Sequence, residues 1–426
     1  MQTQPQSTAS LCWLTAIIGA GTLAACGFEG LGCGAFTFSS CGPTPQFEVA
    51  IDVAAADFNG DGRPGVVLPV DEGANIAGVA AVYEPVGTSG KGYLARVNYP
   101  ATISFPTRIV AADLNGDGRP DLILLTSESA SNTVAVLLND AGNPGSFGAP
   151  QVLSAPFAND VAVTDLNGDG RPDLVIAGDT LMVALQSAGT PGTFAAPATL
   201  YSGGSGGYVS VAAGDLDGDG SPDLAVADDL GVLVIFLVPG AATPTVASAK
   251  RIYSNPAPVP NTGLNAVAIA DVDGDGRNDL VVVDPMNSEL AVILQSHTAA
   301  GQFLPPVRYP LPVAGGLNRL VLTDLSGRGG LPDVVVATGG PLLVYLKDTA
   351  QPGAFLPPGS YPAVIGFSGV GVADVDGDGL PDLITDNGAT VPAFGSLPLP
   401  GVLYQDPANP GHFLPVQDLQ ITPGAH

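Results

Sequence analysis

The stretch Asp113-Leu114-Asn115-Gly116-Asp117-Gly118-Arg119-Pro120-Asp121 decides the fold. Oxygen side chains stand at its positions 1, 3, 5 and 9, glycine at position 6 where the backbone must turn sharply, and position 7 is free to offer its carbonyl. A hard cation such as Ca²⁺ takes six to eight oxygen ligands, and alternate residues of a tight loop can turn that many inward. The pattern recurs. Asp-rich loops begin at Asp57, Asp113, Asp165, Asp215, Asp271, Asp324 and Asp374, at intervals of 50 to 56 residues, and 52 residues follow the last. A fixed period of this size marks a repeat architecture of seven units.

Each unit has the same order of pieces. An apolar run such as Ile109-Val110-Ala111-Ala112 reaches the first Asp, and a second, such as Leu122-Ile123-Leu124-Leu125, leaves the loop. A third follows a turn, as in Leu290-Ala291-Val292-Ile293-Leu294, and a fourth opens after a Gly-x-Phe turn at Phe147, Phe194, Phe303, Phe355 and Phe413. These are short β-rich runs bounded by turn residues, with no helix-length periodic segment between them. Four strands in about 50 residues is one propeller blade, and propellers hold about 4 to 8 blades. The predicted fold is therefore all-β, a seven-bladed β-propeller with four-stranded blades over residues 47–420. Residues 1–25 are read as a signal peptide, 26–46 as a Gly/Ser/Thr-rich tether and 421–426 as a C-terminal tail. The last unit holds its own fourth strand at Phe413 to Asp418, and Phe47-Glu48-Val49 is a candidate clasp.

Composition agrees. Charged residues are only 12% of the 426, while 57 Gly and 40 Pro disfavour a helical bundle. With 40 acidic against 13 basic side chains the net charge is −27, which excludes a nucleic-acid binder that works by neutralising phosphates. More than half of those 40 acidic residues lie in the seven loops. Crowded carboxylates repel one another unless a cation sits between them, so the loops read as metal sites rather than simple Asx turns.

Five loops are complete. Besides Asp113, Asn115, Asp117, Arg119 and Asp121 they offer Asp165, Asn167, Asp169, Arg171 and Asp173; Asp215, Asp217, Asp219, Ser221 and Asp223; Asp271, Asp273, Asp275, Arg277 and Asp279; and Asp374, Asp376, Asp378, Leu380 and Asp382. The residue at position 7 contributes only its carbonyl. About five Ca²⁺ ions are expected, Mg²⁺ being disfavoured because it prefers to keep its waters. An EF-hand is excluded on spacing, since position 12 is Leu124, Ile176, Val226, Val282 or Thr385 where that motif needs a bidentate Glu. The first loop offers Asp57, Asn59 and Asp61 but has Gly65 where the closing Asp should stand, so weak or no binding is expected there. The sixth places Arg328 at position 5 and carries one extra residue before Asp333; a guanidinium in the site would replace the cation.

The Asp-x-(Asp/Asn)-Gly-Asp-Gly-x-x-Asp-Leu cores, with Phe147-Gly148-Ala149-Pro150 and Phe194-Ala195-Ala196-Pro197, resemble the FG-GAP/VCBS repeat family, which includes the integrin α-subunit propeller and many secreted bacterial proteins. The resemblance implies a seven-bladed propeller with Ca²⁺ at the blade rim that stiffens hairpins. The roles it implies range from adhesion and carbohydrate binding to scaffolds for enzyme domains. The opening segment is similar to a bacterial lipoprotein signal: an apolar run from Leu11 to Leu23 leads into Leu23-Ala24-Ala25-Cys26, although Met1 to Gln6 carries no Lys or Arg. That resemblance implies acylation of Cys26 and an exported protein, lipid-anchored or secreted, that meets the membrane only through the anchor. Cys33 and Cys41 remain as an even pair and are expected to form a disulfide.

Two functions follow. The first is a non-enzymatic binding or adhesion module, expected to be a monomeric propeller, whose partner is an extracellular or envelope protein or polysaccharide. The second is a polysaccharide lyase or hydrolase. The catalytic case is thin: His297, His412 and His426 read as surface residues, and Gly203-Gly204-Ser205-Gly206-Gly207 lacks the strand-to-helix elbow of a nucleophile. Sugar platforms favour Trp, and Trp13 in the signal is the sole one; Tyr83, Tyr93, Tyr201, Tyr208, Tyr253, Tyr309 and Tyr361 are substitutes that more often pack than bind.

Overall fold

The computed structural model describes residues 49–50, 52–71, 78–86, 92–126, 133–203, 207–254, 266–312, 319–327, 330–362, 369–386 and 399–422. Phe47–His426 forms one compact unit. Cys26, Cys33 and Cys41, Phe47-Glu48, Ser205, Arg328 and His426 lie outside the described residues.

Every described element is a β-strand, and seven antiparallel sheets follow one another along the chain. The second blade shows the pattern: Arg108–Ala112, Asp121–Leu125, Thr133–Leu137 and Gln151–Ser154 pair in sequence order. The innermost strand of each blade touches those of its neighbours, and Val370–Ala373 of the seventh meets Ala54–Ala56 of the first, so the ring is closed.

The second strand of each blade explains the near-continuous apolar runs. Asp121–Leu125, Asp173–Ala177 and Asp333–Ala337 are buried at every residue, because a blade is covered by a neighbour on both faces. Alternate side chains enter opposite gaps: Leu122 and Leu124 pack towards Val67 and Val82 of the first blade, while Ile123 and Leu125 pack towards Leu174 and Ile176 of the third. Among the described residues the core is thus seven clusters, one per gap, rather than one centre. Truncating one such Leu to Ala costs about 2–5 kcal/mol.

The closing seam, between the seventh and first blades, has its own devices. The seventh blade completes itself with Gln417–Asp418; Phe413 instead bridges Gln405 just ahead of that strand. The chain then continues through Gln420–Ile421, which pairs in parallel with Gly92–Tyr93, and Thr422 N donates to Tyr93 O. At the other end Val49–Ala50 pairs with Val70 and Asp71, extending the broken inner strand of the first blade. Arg63 Nη2 donates to Val375 O across the seam at 3.3 Å, and its guanidinium lies 5.8 Å from the Tyr93 ring centre. At the starts of the inner strands a polar belt links blades one to five. Arg108 bonds Asp52 (3.3 Å) and Asp160 (3.0 Å), Ser210 Oγ donates to Asp160, and Val267 N donates to Ser210 Oγ.

Candidate metal centres in the blade loops

Each Asp-rich loop joins the first strand of a blade to the second, so all seven lie at the same end of the ring. Position 1 nucleates the turn. Asp113 Oδ1 accepts from Gly116 N (2.8 Å) and Oδ2 from Gly118 N (2.9 Å), and the two glycines sit at φ 77° and 82°, which a residue with a Cβ rarely adopts. The same wrap is made by Asp165, Asp215, Asp271 and Asp374.

Position 9 has a second task that spacing did not reveal. Asp121, Asp173, Asp223, Asp279 and Asp382 are at most 1% exposed. One oxygen of Asp121 accepts from Leu114 N (2.9 Å) at the loop start and the other from Asn139 N (2.7 Å) just past the third strand. The partners in the other complete loops are Leu166 and Gln186, Leu216 and Leu237, Val272 and Gln295, and Val375 and Gln405. The closing Asp therefore ties loop, second strand and third strand together. The residue past the third strand also reaches between blades: Asn139 Nδ2 donates to Phe58 O, Gln186 Nε2 to Leu114 O and Gln295 Nε2 to Leu216 O.

The arrangement suits a hard cation. Carboxylate oxygens of Asp215, Asp217 and Asp223 lie within 4.8 Å of one another, as do those of Asp271, Asp273 and Asp279, and of Asp374, Asp376 and Asp382. Burial, with the neighbouring loop carboxylates adding to it and the backbone N–H donors opposing it, pushes Asp121, Asp223 and Asp382 up to about 6 and Asp279 up to about 7; Asp173 moves the same way. These groups lack positive charge, which a bound cation would supply. In the second and third loops Asn stands at position 3, and the guanidiniums of Arg119 and Arg171 turn onto Asp117 and Asp169.

The fifth loop gains a residue from elsewhere. His297 is exposed, as a surface reading requires, yet its Nδ1 lies 2.6 Å from Asp275 Oδ2 and its Nε2 3.6 Å from Asp273 Oδ2. Asp273, Asp275 and His297 form a further group able to hold a metal ion.

The sixth loop keeps the strut and fills the site from within. Asp333 accepts from Leu325 N and Lys347 N, as closing aspartates do elsewhere, and additionally from Ser326 N. Lys347, only 6% exposed, brings its ammonium to 3.2 Å from Asp324 Oδ1 and donates to Leu331 O. Burial raises Asp324, but the Lys347 ammonium and the N–H groups of Gly330 and Gly327 outweigh it and hold the carboxyl below its usual range. Lys347 stands where other blades carry Asn139, Gln186, Gln295 or Gln405, a position with no sequence link to the loop.

In the first loop Asp57 makes the ordinary wrap, accepting from Gly60 N and Gly62 N. Beside it stands Glu84, which sequence reading passed over. Burial first, then the charges of Asp61 and Asp57, push it up to about 7, and neither of its oxygens has a hydrogen-bond partner.

The tyrosines pack rather than present platforms: Tyr83, Tyr93, Tyr208 and Tyr253 are buried, and Tyr309 and Tyr361 sit edge-on to Phe355 and Phe413. Position 12 of the complete loops is buried in the second strand, which leaves no place for an EF-hand glutamate.

Residues 113–176, 165–226 and 330–385 match the FG-GAP-like repeat. No curated protein is significantly similar in sequence. Among solved structures, a putative 6-phosphogluconolactonase from Bacteroides fragilis is 11% identical over 84% of this chain and 95% of its own, with a TM-score of 0.57. A protein from Lactobacillus plantarum is 14% identical over 84% and 96%, at 0.52. An Agrocybe aegerita lectin that recognises non-reducing terminal N-acetylglucosamine is 19% identical over 73% and 80%, at 0.50. At these identities the likeness is one of fold.

Proposed function

We propose that this chain, whose FG-GAP-like repeats form a seven-bladed β-propeller, is a calcium-stiffened, non-enzymatic binding or adhesion module for a protein or polysaccharide. The observation that carries the reading is the double duty of the closing aspartates. Each is buried at the root of its loop and braces two strands, so a cation held there locks a hairpin of the scaffold. A Ca²⁺ ion supplies positive charge to carboxylates that burial and mutual repulsion otherwise disfavour. With most loop carboxylates committed to the turn, the strut and the ion, ligand recognition falls to the loops that leave the rigid ring. The fold by itself hosts both a lectin and putative lactonases, so function follows from the sites rather than from the fold. The reading includes export, with Cys26 as the lipid-bearing residue.

The test is a glycan and polysaccharide array probed with the mature chain lacking Cys26, in Ca²⁺ and again in chelator. Binding lost in chelator establishes a Ca²⁺-dependent adhesin. Turnover of an arrayed polysaccharide would instead favour the lyase or hydrolase reading, and silence in both buffers would direct the search to protein partners.

A further inference from the structure

We propose that the first blade also holds a divalent, oxygen-coordinated cation, with Glu84 supplying the carboxylate its loop lacks. The inference rests on the calcium reading of the complete loops and extends it to a blade whose nine residues fall short.

Strand register fixes the comparison. Val66 pairs with Tyr83 as Leu122 pairs with Leu137, Leu174 with Ala184, Leu224 with Ile235, Leu280 with Ile293, Val334 with Tyr345 and Leu383 with Leu403. Glu84 thus occupies the position of Leu138, Leu185, Phe236, Leu294, Leu346 and Tyr404, and is charged where six blades are apolar. Gly65 is the exception at the closing position, where six blades carry Asp. These two exceptions touch: a Cβ on Gly65 would lie 3.1 Å from Glu84 Oε2. On the other side, a Cβ on Gly145 of the second blade would lie 3.0 Å from Glu84 Oε1 and 3.1 Å from the Cβ of Asn59, position 3 of the loop. The carboxylate is therefore lodged beside the loop, in the space the closing Asp leaves free.

A third exception completes the set. The next residue is Pro85, where Asn139, Gln186, Leu237, Gln295, Lys347 and Gln405 each donate a backbone N–H to their closing Asp. Proline has no such hydrogen. An Asp at position 65 would lack half its bracing, so this blade has given up the strut and delivers a carboxylate from the residue after the third strand instead. The seam contact that the residue past the third strand makes in other blades passes to Arg63, which reaches Val375 O.

Both Glu84 oxygens are shut off from solvent and have no hydrogen-bond partner, a costly state for a carboxylate unless a cation meets it. Arg63 does not play the part of Arg119 and Arg171, whose guanidiniums bond the position-5 carboxylates of their loops; its own is turned to the carbonyls of Val86 and Val375. Asp57, Asn59, Asp61, the Arg63 carbonyl and Glu84 then make a donor set with three carboxylates, matching the count in the second and third loops.

The experiment counts Ca²⁺ by native mass spectrometry at fixed free Ca²⁺ for the full chain and for Glu84→Leu, Glu84→Gln and, as a complete-loop control, Asp219→Asn. Leu is the residue four other blades tolerate at this position, Gln preserves the shape, and circular dichroism reports folding. We expect each Glu84 variant to carry one ion fewer than the parent. An unchanged count in both overturns the proposal while an ion lost from Asp219→Asn leaves the calcium reading standing. A parent chain that takes up no Ca²⁺ overturns both.

Discussion

The sixth and first blades break the same nine-residue pattern in opposite directions. The sixth keeps its closing carboxylate, Asp333, with all its backbone bonds, and places the Lys347 ammonium against Asp324. The first loses the closing carboxylate to Gly65 and the matching donor to Pro85, and places the buried Glu84 carboxylate beside Asp57 and Asp61. One blade carries its own positive charge and the other accumulates negative charge. The difference separates two roles of the closing Asp: it braces strands through backbone N–H groups, and on the proposed calcium reading it also offers charge to a cation.

The strongest test of that separation is removal of Ca²⁺. Each site saturated at a hundredfold excess over its Kd contributes about 2.7 kcal/mol, so chelation should lower the calorimetric Tm well beyond what any single loop accounts for. A Tm indifferent to chelator would reduce the loops to Asx turns.

Next in size is the strut alone. Asp333→Ala leaves the N–H groups of Leu325, Ser326 and Lys347 without their acceptor. At about 1–3 kcal/mol for each buried polar group left unpaired, urea unfolding should show a loss of roughly 3 kcal/mol or more. The comparison requires that loss to be the same with and without Ca²⁺; a Ca²⁺-dependent loss would mean that the sixth loop binds metal.

Lys347→Gln, which restores the residue of the third, fifth and seventh blades, removes the internal cation from Asp324. That carboxylate is partly exposed, so the expected destabilisation is about 1–2 kcal/mol, below the range for a fully buried pair. An unaltered urea midpoint would remove Lys347 from its role as the replacement ion.

The smallest effect is the pH dependence of the chelated protein. Asp121, Asp223 and Asp382 near 6 and Asp279 near 7 bind protons more tightly folded than unfolded, where an Asp titrates near 4. Their contribution is fully present below pH 4 and is lost as pH rises through 6 to 7, so in chelator the Tm should fall between pH 5 and 7.5. Ca²⁺ requires the charged carboxylates and should flatten or reverse that slope.

Sequence alone determined the period, the strand order, the seven blades and the five complete loops, because a repeat writes its backbone turns and its apolar runs locally. Asp113 finds Gly116 and Gly118 within five residues, and no tertiary contact is needed to predict that turn. Only the tertiary structure decided what completes or replaces each site. Lys347 reaches Asp324 and Glu84 reaches Gly65 from just past the third strand, and His297 reaches Asp275 from the turn that follows it. Arg63 and the Gln420–Ile421 strand close the ring against partners hundreds of residues away. Sheet register and blade stacking bring these residues together, and neither leaves a fixed spacing in the chain.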